Sequence, residues 1–143
     1  MRTLFLCTGN SCRSQMAEGW ARTLLAGKVE AFSAGTRPGD VVDPRAVKAM
    51  AEAGVDISGQ KPKSLEVFKD QAFDLVITLC GDASETCPAY WGAGRKAHMG
   101  FDDPGTLAGP GSPDETAMPH YRRVRDEIRA FIVTLPEILE RTR

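Results

Sequence analysis

The chain has 143 residues, of which 42% are hydrophobic and 26% are charged, a composition typical of globular proteins that excludes disordered and fibrous classes. The 18 Lys and Arg residues nearly balance the 19 Asp and Glu residues, leaving a net charge of -1, so neither nucleic acid nor an anionic membrane surface is an expected partner. The length suits one domain over residues 1–143. We expect a cytoplasmic protein, because the longest apolar run is too short to span a bilayer and no secretory signal opens the chain. As a separate expectation, we predict a monomer.

Short apolar runs alternate with helix-like segments along the chain. Ser14 is predicted to cap the first helix and Asp43 the second. The Gly/Pro-rich stretch 105–113 is predicted to be a loop, and Pro136 is expected to kink or restart the last helix. In chain order, the predicted elements are a strand over 3–6, a helix over 14–27, a strand over 29–33, a helix over 43–54, a strand over 73–79, a weaker strand over 95–99 and a helix from about 119.

This alternation predicts an α/β fold, a single-domain open parallel four-stranded sheet with helices on both faces. Ligands of such sheets bind beyond the carboxyl ends of the strands. The first strand ends at Cys7 and the strand over 73–79 ends at Cys80. These two cysteines are therefore expected at the same edge of the sheet.

Four cysteines, Cys7, Cys12, Cys80 and Cys87, suggest chemistry rather than structural cross-linking. Thiols are normally kept reduced in a cytoplasmic protein, which argues against static disulfides. Spacings of four and six residues do not match the usual zinc pairs. We therefore expect no metal and no cofactor, and we favour redox or nucleophilic roles for the thiols.

The segment 7–14, CTGNSCRS, joins a strand to a helix. Gly9 and Asn10 tolerate unusual backbone angles, which lets successive amides face one concavity, and the helix N-terminus adds positive potential. Arg13 can bind two oxygens of an oxyanion, the same field favours a Cys7 thiolate, and Ser14 can donate a hydrogen bond to its sulfur. The predicted oxyanion-binding residues are Thr8, Gly9, Asn10, Ser11, Cys12 and Arg13.

A nucleophile that attacks an oxyanion requires a proton donor for the departing oxygen. Asp103, in the segment 100–104, is the candidate, because it follows a predicted strand at the same sheet edge. Asp-Pro is also an ordinary turn sequence. Spacing alone leaves both interpretations open.

These motifs resemble those of the thioredoxin-coupled arsenate reductases, which share their fold with low-molecular-weight protein tyrosine phosphatases. The similarity extends over nearly the whole chain. It is carried by LCTGNSCRSQMAEGW at 6–20, FSAG at 32–35, DIS at 56–58, VITLC at 76–80, CP at 87–88, GFDDP at 100–104 and RVRDEI at 123–128.

The resemblance implies a catalytic sequence. Cys7 attacks arsenate while Asp103 protonates the leaving oxygen; Cys80 then attacks the Cys7 sulfur and arsenite departs. Cys87 takes over the disulfide, and thioredoxin reduces the resulting Cys80–Cys87 bond. Disulfide partners need alpha carbons within about 7 Å, and one or two helical turns over 81–86 would hold Cys80 and Cys87 farther apart. This segment must therefore unwind or loop out on oxidation.

Three alternatives stay open at this stage. The first is a phosphotyrosine phosphatase, although Gly105 and Thr106 follow the Asp-Pro pair where such phosphatases carry aromatic residues; weak activity on small aryl esters is compatible with the loop. The second is a non-enzymatic oxyanion or redox sensor. The third concerns Cys12, which we expect to be a packing residue of the loop rather than a fourth redox thiol.

The sequence departs from the family at two places. Some members bind potassium near the loop through residues matching Asn10, Glu18 and Ser33 plus a threonine and an aspartate, and those last two positions are Lys61 and Lys63 here. Our hypothesis is that one of these lysines replaces the ion and pairs with Glu18; solvated surface lysines are the alternative. The stretch 105–118 is also longer than expected for the family. It is interpreted either as a surface insertion or as a lid.

Overall fold

The structure is a computed structural model that describes residues 1–79, 95–109 and 111–141. Its strands are β1 (Arg2–Cys7), β2 (Glu30–Gly35), β3 (Leu75–Thr78) and β4 (Arg95–His98). Its helices are α1 (Arg13–Leu24), α2 (Pro44–Glu52), α3 (Pro104–Ala108) and α4 (Asp114–Arg141), and a 3-10 turn covers Leu65–Phe68.

The four strands form one parallel sheet in the order β2-β1-β3-β4. This confirms the predicted fold class. The central position of β1 explains its continuous apolar sequence, because Leu4, Phe5 and Leu6 are fully buried by neighbours on both sides and on both faces. β1 therefore delivers Cys7 to the middle of the carboxyl edge of the sheet.

Side chains alternate between two cores along β1. Phe5 points toward α1, α2 and α4, and joins Met16, Met50 and Ile128 in the larger core. Its neighbours Leu4 and Leu6 point to the other face, where the 3-10 turn supplies Leu65 and Phe68. The smaller core includes an aromatic cluster in which Phe32, Phe68 and Phe73 meet edge to face. Both faces of the strand that carries Cys7 are thus fixed by packing.

Some element boundaries differ from the sequence prediction. α1 begins at Arg13 with Cys12 at the N-cap position, so Ser14 is not the cap but a buried residue of the first turn. α4 begins at Asp114, where Asp114 and Glu115 favour a helix N-terminus, and it continues through Pro136 without restarting. In the part of the chain that is described, no helix has the length and apolarity needed to cross a membrane.

The predicted loop 105–113 instead begins with a helix. α3 starts at Pro104, and the side chain of Asp103 caps it by accepting a hydrogen bond from the Gly105 amide at 3.0 Å. An aspartate followed by proline at the first helical position is the same signal that begins α2 at Asp43. The prediction of a loop was wrong for 105–108, because the glycines and prolines that follow outweighed this cap, while residues 109 and 111–113 belong to no helix or strand.

Candidate active site

The loop between β1 and α1 is held in an unusual conformation by Asn10. This residue has a φ of 48°, in the left-handed region that asparagine tolerates better than most residues. Its side chain donates to the Ser14 hydroxyl at 2.8 Å and accepts from the Lys63 amide at 2.8 Å. Gln15 donates to the Asn10 carbonyl at 2.9 Å. Asn10 is fully buried and does not line the cavity described below, so its side chain supports the loop from behind.

A segment after β2, residues 36–43, which we call the strap, binds the loop carbonyls. Its amides at Arg37, Gly39 and Asp43 donate to the carbonyls of Thr8 at 3.0 Å, Gly9 at 3.0 Å and Ser11 at 2.7 Å, respectively. In a trans peptide the N–H points opposite to the C=O. The amides that follow those carbonyls, at Gly9, Asn10 and Cys12, are therefore directed away from the strap, as an anion-binding loop requires.

Gly35, the last residue of β2, allows the loop to approach the sheet. A Cβ atom at this position would lie 2.4 Å from the Thr8 carbonyl oxygen and 2.8 Å from the Cys7 carbonyl oxygen. Both are backbone atoms that cannot rotate away. Only glycine fits against this loop.

A cavity of about 320 Å³ opens at the carboxyl edge of the sheet. It brings together predicted residues from two distant segments of the chain, the loop and the segment around Asp103. It also includes Thr36 and Arg37 from the strap, which our sequence analysis missed; their position directly after a strand of the parallel sheet was an available signal. The lining residues are Cys7, Thr8, Gly9, Ser11, Cys12, Arg13, Thr36, Arg37 and Asp103.

Cys7 and Ser14 form the chemical centre of the loop. The Cys7 sulfur lies 2.9 Å from the Ser14 hydroxyl oxygen, and both residues are buried. Asn10 donates to that oxygen and occupies one of its two acceptor sites, which leaves the hydroxyl proton of Ser14 available to the sulfur. A hydroxyl in this position can stabilise negative charge on the sulfur as a bond to it forms or breaks.

Arg13 and Asp103 are fixed beside the sulfur by their own partners. The buried guanidinium of Arg13 donates to the Phe101 carbonyl at 2.9 Å and lies 3.9 Å from the Asp103 carboxylate. That carboxylate accepts from the Gly105 amide and from the Thr106 hydroxyl, both at 3.0 Å. Capping α3 therefore holds the Asp103 carboxyl group at the cavity wall.

Cys12, the second cysteine of the loop, differs from Cys7 in its electrostatics. Burial, with a smaller contribution from the nearby carboxylates of Asp43 and Asp103, raises the pKa of the Cys12 thiol well above its usual range. Cys12 is therefore a neutral thiol at physiological pH, and thiols are poor nucleophiles.

Behind the loop, Lys63 contacts a buried carboxylate. Its ammonium group donates to the Lys61 carbonyl at 2.9 Å and lies 3.9 Å from the carboxylate of Glu18, whose side chain is only 2% exposed. The same carboxylate accepts from Ser33 at 3.0 Å and pairs with Arg22 at 3.4 Å. Burial lowers the pKa of Lys63, and the attraction of Glu18 only partly opposes this. The expected pairing of Lys63 with Glu18 is present, while the side chain of Lys61 is exposed.

Tyr121 of α4 connects the strap to the rest of the fold. Its hydroxyl donates to the Asp43 carboxylate, and Asp43 is both the cap of α2 and the last strap residue. Burial and this hydrogen bond raise the pKa of Tyr121 above its ordinary value. Nothing in the local sequence around Tyr121 predicts this contact, because Asp43 lies 78 residues away.

Two predicted site residues, Cys80 and Cys87, lie outside the described residues. The last described residue before them, Leu79, donates its backbone N–H to the Leu6 carbonyl at 2.9 Å. The chain thus enters that segment beside the strand that carries Cys7.

The cavity combines a cysteine sulfur, a fixed guanidinium and a carboxyl group, an arrangement suited to nucleophilic attack by sulfur on an oxyanion. The family described as low molecular weight phosphotyrosine protein phosphatase matches residues 2–143. The chain belongs to this family.

Relatives within this superfamily carry the name arsenate reductase. The chain is 48% identical to the arsenate reductase of Halalkalibacterium halodurans over 133 residues, 93% of either chain. A solved arsenate reductase in its phosphate-binding state superposes with a TM-score of 0.78 at 34% identity, covering 96% of this chain and 98% of the other. A thioredoxin-dependent arsenate reductase of Corynebacterium glutamicum superposes with a TM-score of 0.68 at 27% identity. The match covers 99% of this chain and 63% of the Corynebacterium chain.

Proposed function

We propose that this protein is an arsenate reductase that uses protein thiols as its electron source. The observation that carries the proposal is the cavity, in which the Cys7 sulfur, the Arg13 guanidinium and the Asp103 carboxyl group meet over an amide-lined loop. The 48% identity to a named arsenate reductase over nearly the full length supports the same substrate.

The first step forms a bond between sulfur and arsenic. The Cys7 thiolate, stabilised by the Ser14 hydroxyl, attacks arsenic, and a hydroxyl oxygen of arsenate leaves as water with a proton from Asp103. Arg13 and the loop amides stabilise the charge that develops on the remaining oxygens. Arsenic is still pentavalent at this point.

The second step transfers the electrons. The Cys80 thiolate attacks the Cys7 sulfur, the sulfur–arsenic bond breaks with its electron pair on arsenic, and arsenite departs as Cys7–Cys80 becomes a disulfide. Cys87 then attacks the Cys80 sulfur, which releases Cys7 as a thiolate and leaves a Cys80–Cys87 disulfide. Two protein thiols are oxidised and one arsenic atom is reduced by two electrons, so a dithiol reductant such as thioredoxin is required for each turnover.

The test is arsenite production from arsenate with thioredoxin, thioredoxin reductase and NADPH. We expect the wild type to turn over repeatedly. The Cys80→Ser variant should bind arsenate without multiple turnovers, and Cys12→Ser, the same substitution at the fourth cysteine, should turn over like the wild type. Arsenite release by Cys80→Ser at the wild-type rate would refute the thiol relay, and a wild type that binds arsenate without releasing arsenite would refute the enzyme in favour of a sensor.

A second activity, hydrolysis of aryl phosphates, is favoured by the family match, and phosphate is a tetrahedral oxyanion like arsenate. Gly105 and Thr106, which follow Asp103 and Pro104, offer no aromatic surface for a phenol ring. We therefore expect weak hydrolysis of p-nitrophenyl phosphate that depends on Cys7 and is unaffected by Cys80→Ser. Efficient hydrolysis of phosphotyrosine peptides without arsenite production would make the protein a phosphatase.

A further inference from the structure

Arg37 lines the cavity from the strap, a segment separate from those that carry Cys7, Arg13 and Asp103. Its backbone amide donates to the Thr8 carbonyl, so the residue is attached directly to the anion-binding loop. The residue is exposed, and among the described residues no side chain or carbonyl accepts a hydrogen bond from its guanidinium.

The charges around the cavity leave a need for a second cation. Arg13 already donates to the Phe101 carbonyl and lies 3.9 Å from the Asp103 carboxylate. A bound arsenate is itself an anion and would face the Cys7 sulfur and the Asp103 carboxyl group, neither of which supplies positive charge. Of the described residues that line the cavity, only Arg13 and Arg37 carry positive side chains.

We propose that Arg37 is a second oxyanion-binding residue, which captures inorganic arsenate or phosphate at the cavity mouth and holds the oxygens that the loop amides do not reach. This assignment rests on the proposed function for arsenate but concerns binding of the ion, which phosphate reports without any reduction. A guanidinium presents paired donors to two oxygens of a tetrahedral anion. Because Arg37 is exposed, it acts on capture and affinity rather than on the bond-forming step.

The test measures phosphate binding by its protection of Cys7 from alkylation by iodoacetamide, together with kcat and KM for arsenate. We expect Arg37→Gln to weaken phosphate binding and to raise KM by about 3- to 20-fold, the range for one charge-assisted contact near the surface, with kcat nearly unchanged. Arg37→Glu should weaken binding further, and Arg37→Lys should restore part of it. The dependence of affinity on sodium chloride concentration should become shallower in Arg37→Gln.

The control is Lys28→Gln, which removes an equal charge at the opposite end of β2, before the strand begins. It should leave phosphate binding and KM at the wild-type values. Wild-type affinity in both Arg37→Gln and Arg37→Glu would overturn the assignment, as would an equal loss in Lys28→Gln. If phosphate binding depends on Arg37 while the wild type forms no arsenite, the proposed reductase fails and the oxyanion-binding role of Arg37 stands.

Discussion

Replacing Lys63 by methionine would remove one ammonium group from behind the anion-binding loop and leave the backbone of residues 61–63 in place. The Lys63 amide would still donate to the Asn10 side chain. The Glu18 carboxylate would keep Ser33 and Arg22 as partners. The substitution therefore isolates the contribution of the ammonium group.

The expected change in the free energy of unfolding is small for a contact with a buried carboxylate. At 3.9 Å and an effective dielectric constant of about 20, the attraction between Lys63 and Glu18 is about 4 kcal/mol. The lowered pKa of Lys63 shows that burial costs the ammonium group more than Glu18 returns. Because the two contributions oppose each other, we expect Lys63→Met to change the free energy of unfolding in sodium chloride by no more than about 1 kcal/mol in either direction, a Tm shift of at most about 3 °C.

Dependence on monovalent cations should change more than stability does. Without the ammonium group, the Glu18 carboxylate, the Ser33 hydroxyl and the Lys61 carbonyl form a cluster of oxygens with a net negative charge. Such a cluster suits a hard cation. Thermal unfolding and arsenite production, measured in potassium and in sodium chloride at equal ionic strength, should not distinguish the salts in the wild type, but potassium should stabilise Lys63→Met and, more strongly, Lys63→Asp.

The matched control is Lys61→Met, which removes an exposed side chain and retains the carbonyl that Lys63 contacts. This variant should behave as the wild type in both salts. Strong activation of the wild type by potassium would refute the reasoning, because the ammonium group would then not occupy the place of an ion. No response of either Lys63 variant to potassium would refute it as well.

Three further predictions concern the loop and its supports. Gly35→Ala should lower the free energy of unfolding by about 2–3 kcal/mol and weaken phosphate binding, because its methyl group overlaps backbone carbonyls of the loop. The control is Gly59→Ala, since nothing lies within 4 Å of a Cβ atom there. Equal urea midpoints for the two variants would contradict the overlap. Tyr121→Phe should cost about 1–2 kcal/mol by removing the donor to Asp43. The pKa of Tyr121 is raised in the folded state. The difference in the free energy of unfolding between wild type and Tyr121→Phe should therefore be full below about pH 10, the pKa of an unfolded tyrosine, and should shrink as the pH rises above it. A difference that grows above about pH 10 would contradict this assignment. Cys12→Ser should keep its fold and most of its arsenate reduction, because Cys12 is a neutral thiol, and loss of activity with an unchanged circular dichroism spectrum would contradict this.

Local patterns in the sequence were sufficient to predict the sheet and the loop. β1 and β3 are short apolar runs, and the segment 7–14 carries its chemistry within eight consecutive residues, so neither depends on knowing distant neighbours. α3 was missed although its cap, Asp103 followed by Pro104, is also local. That signal was interpreted as a turn, because glycines and prolines dominate the residues that follow.

Contacts between distant segments could not be predicted in the same way. The bond between the Lys63 amide and Asn10 spans 53 residues, and the bond between Tyr121 and Asp43 spans 78. No periodicity or spacing encodes such pairs, since each depends on how the helices pack on the sheet. The exception is the partner of Glu18: comparison with the family pattern predicted Lys61 or Lys63, and the structure places Lys63 there.

The strap has a consequence for protein engineering. Residues 7–14 contain the candidate nucleophile, its hydroxyl partner and one guanidinium, so they invite transplantation alone onto another strand–helix junction. Three of their carbonyls, however, are satisfied by amides from 36–43, and the transplant would leave those oxygens facing solvent or one another. A functional graft must carry both segments together, along with the glycine at 35 that lets them touch.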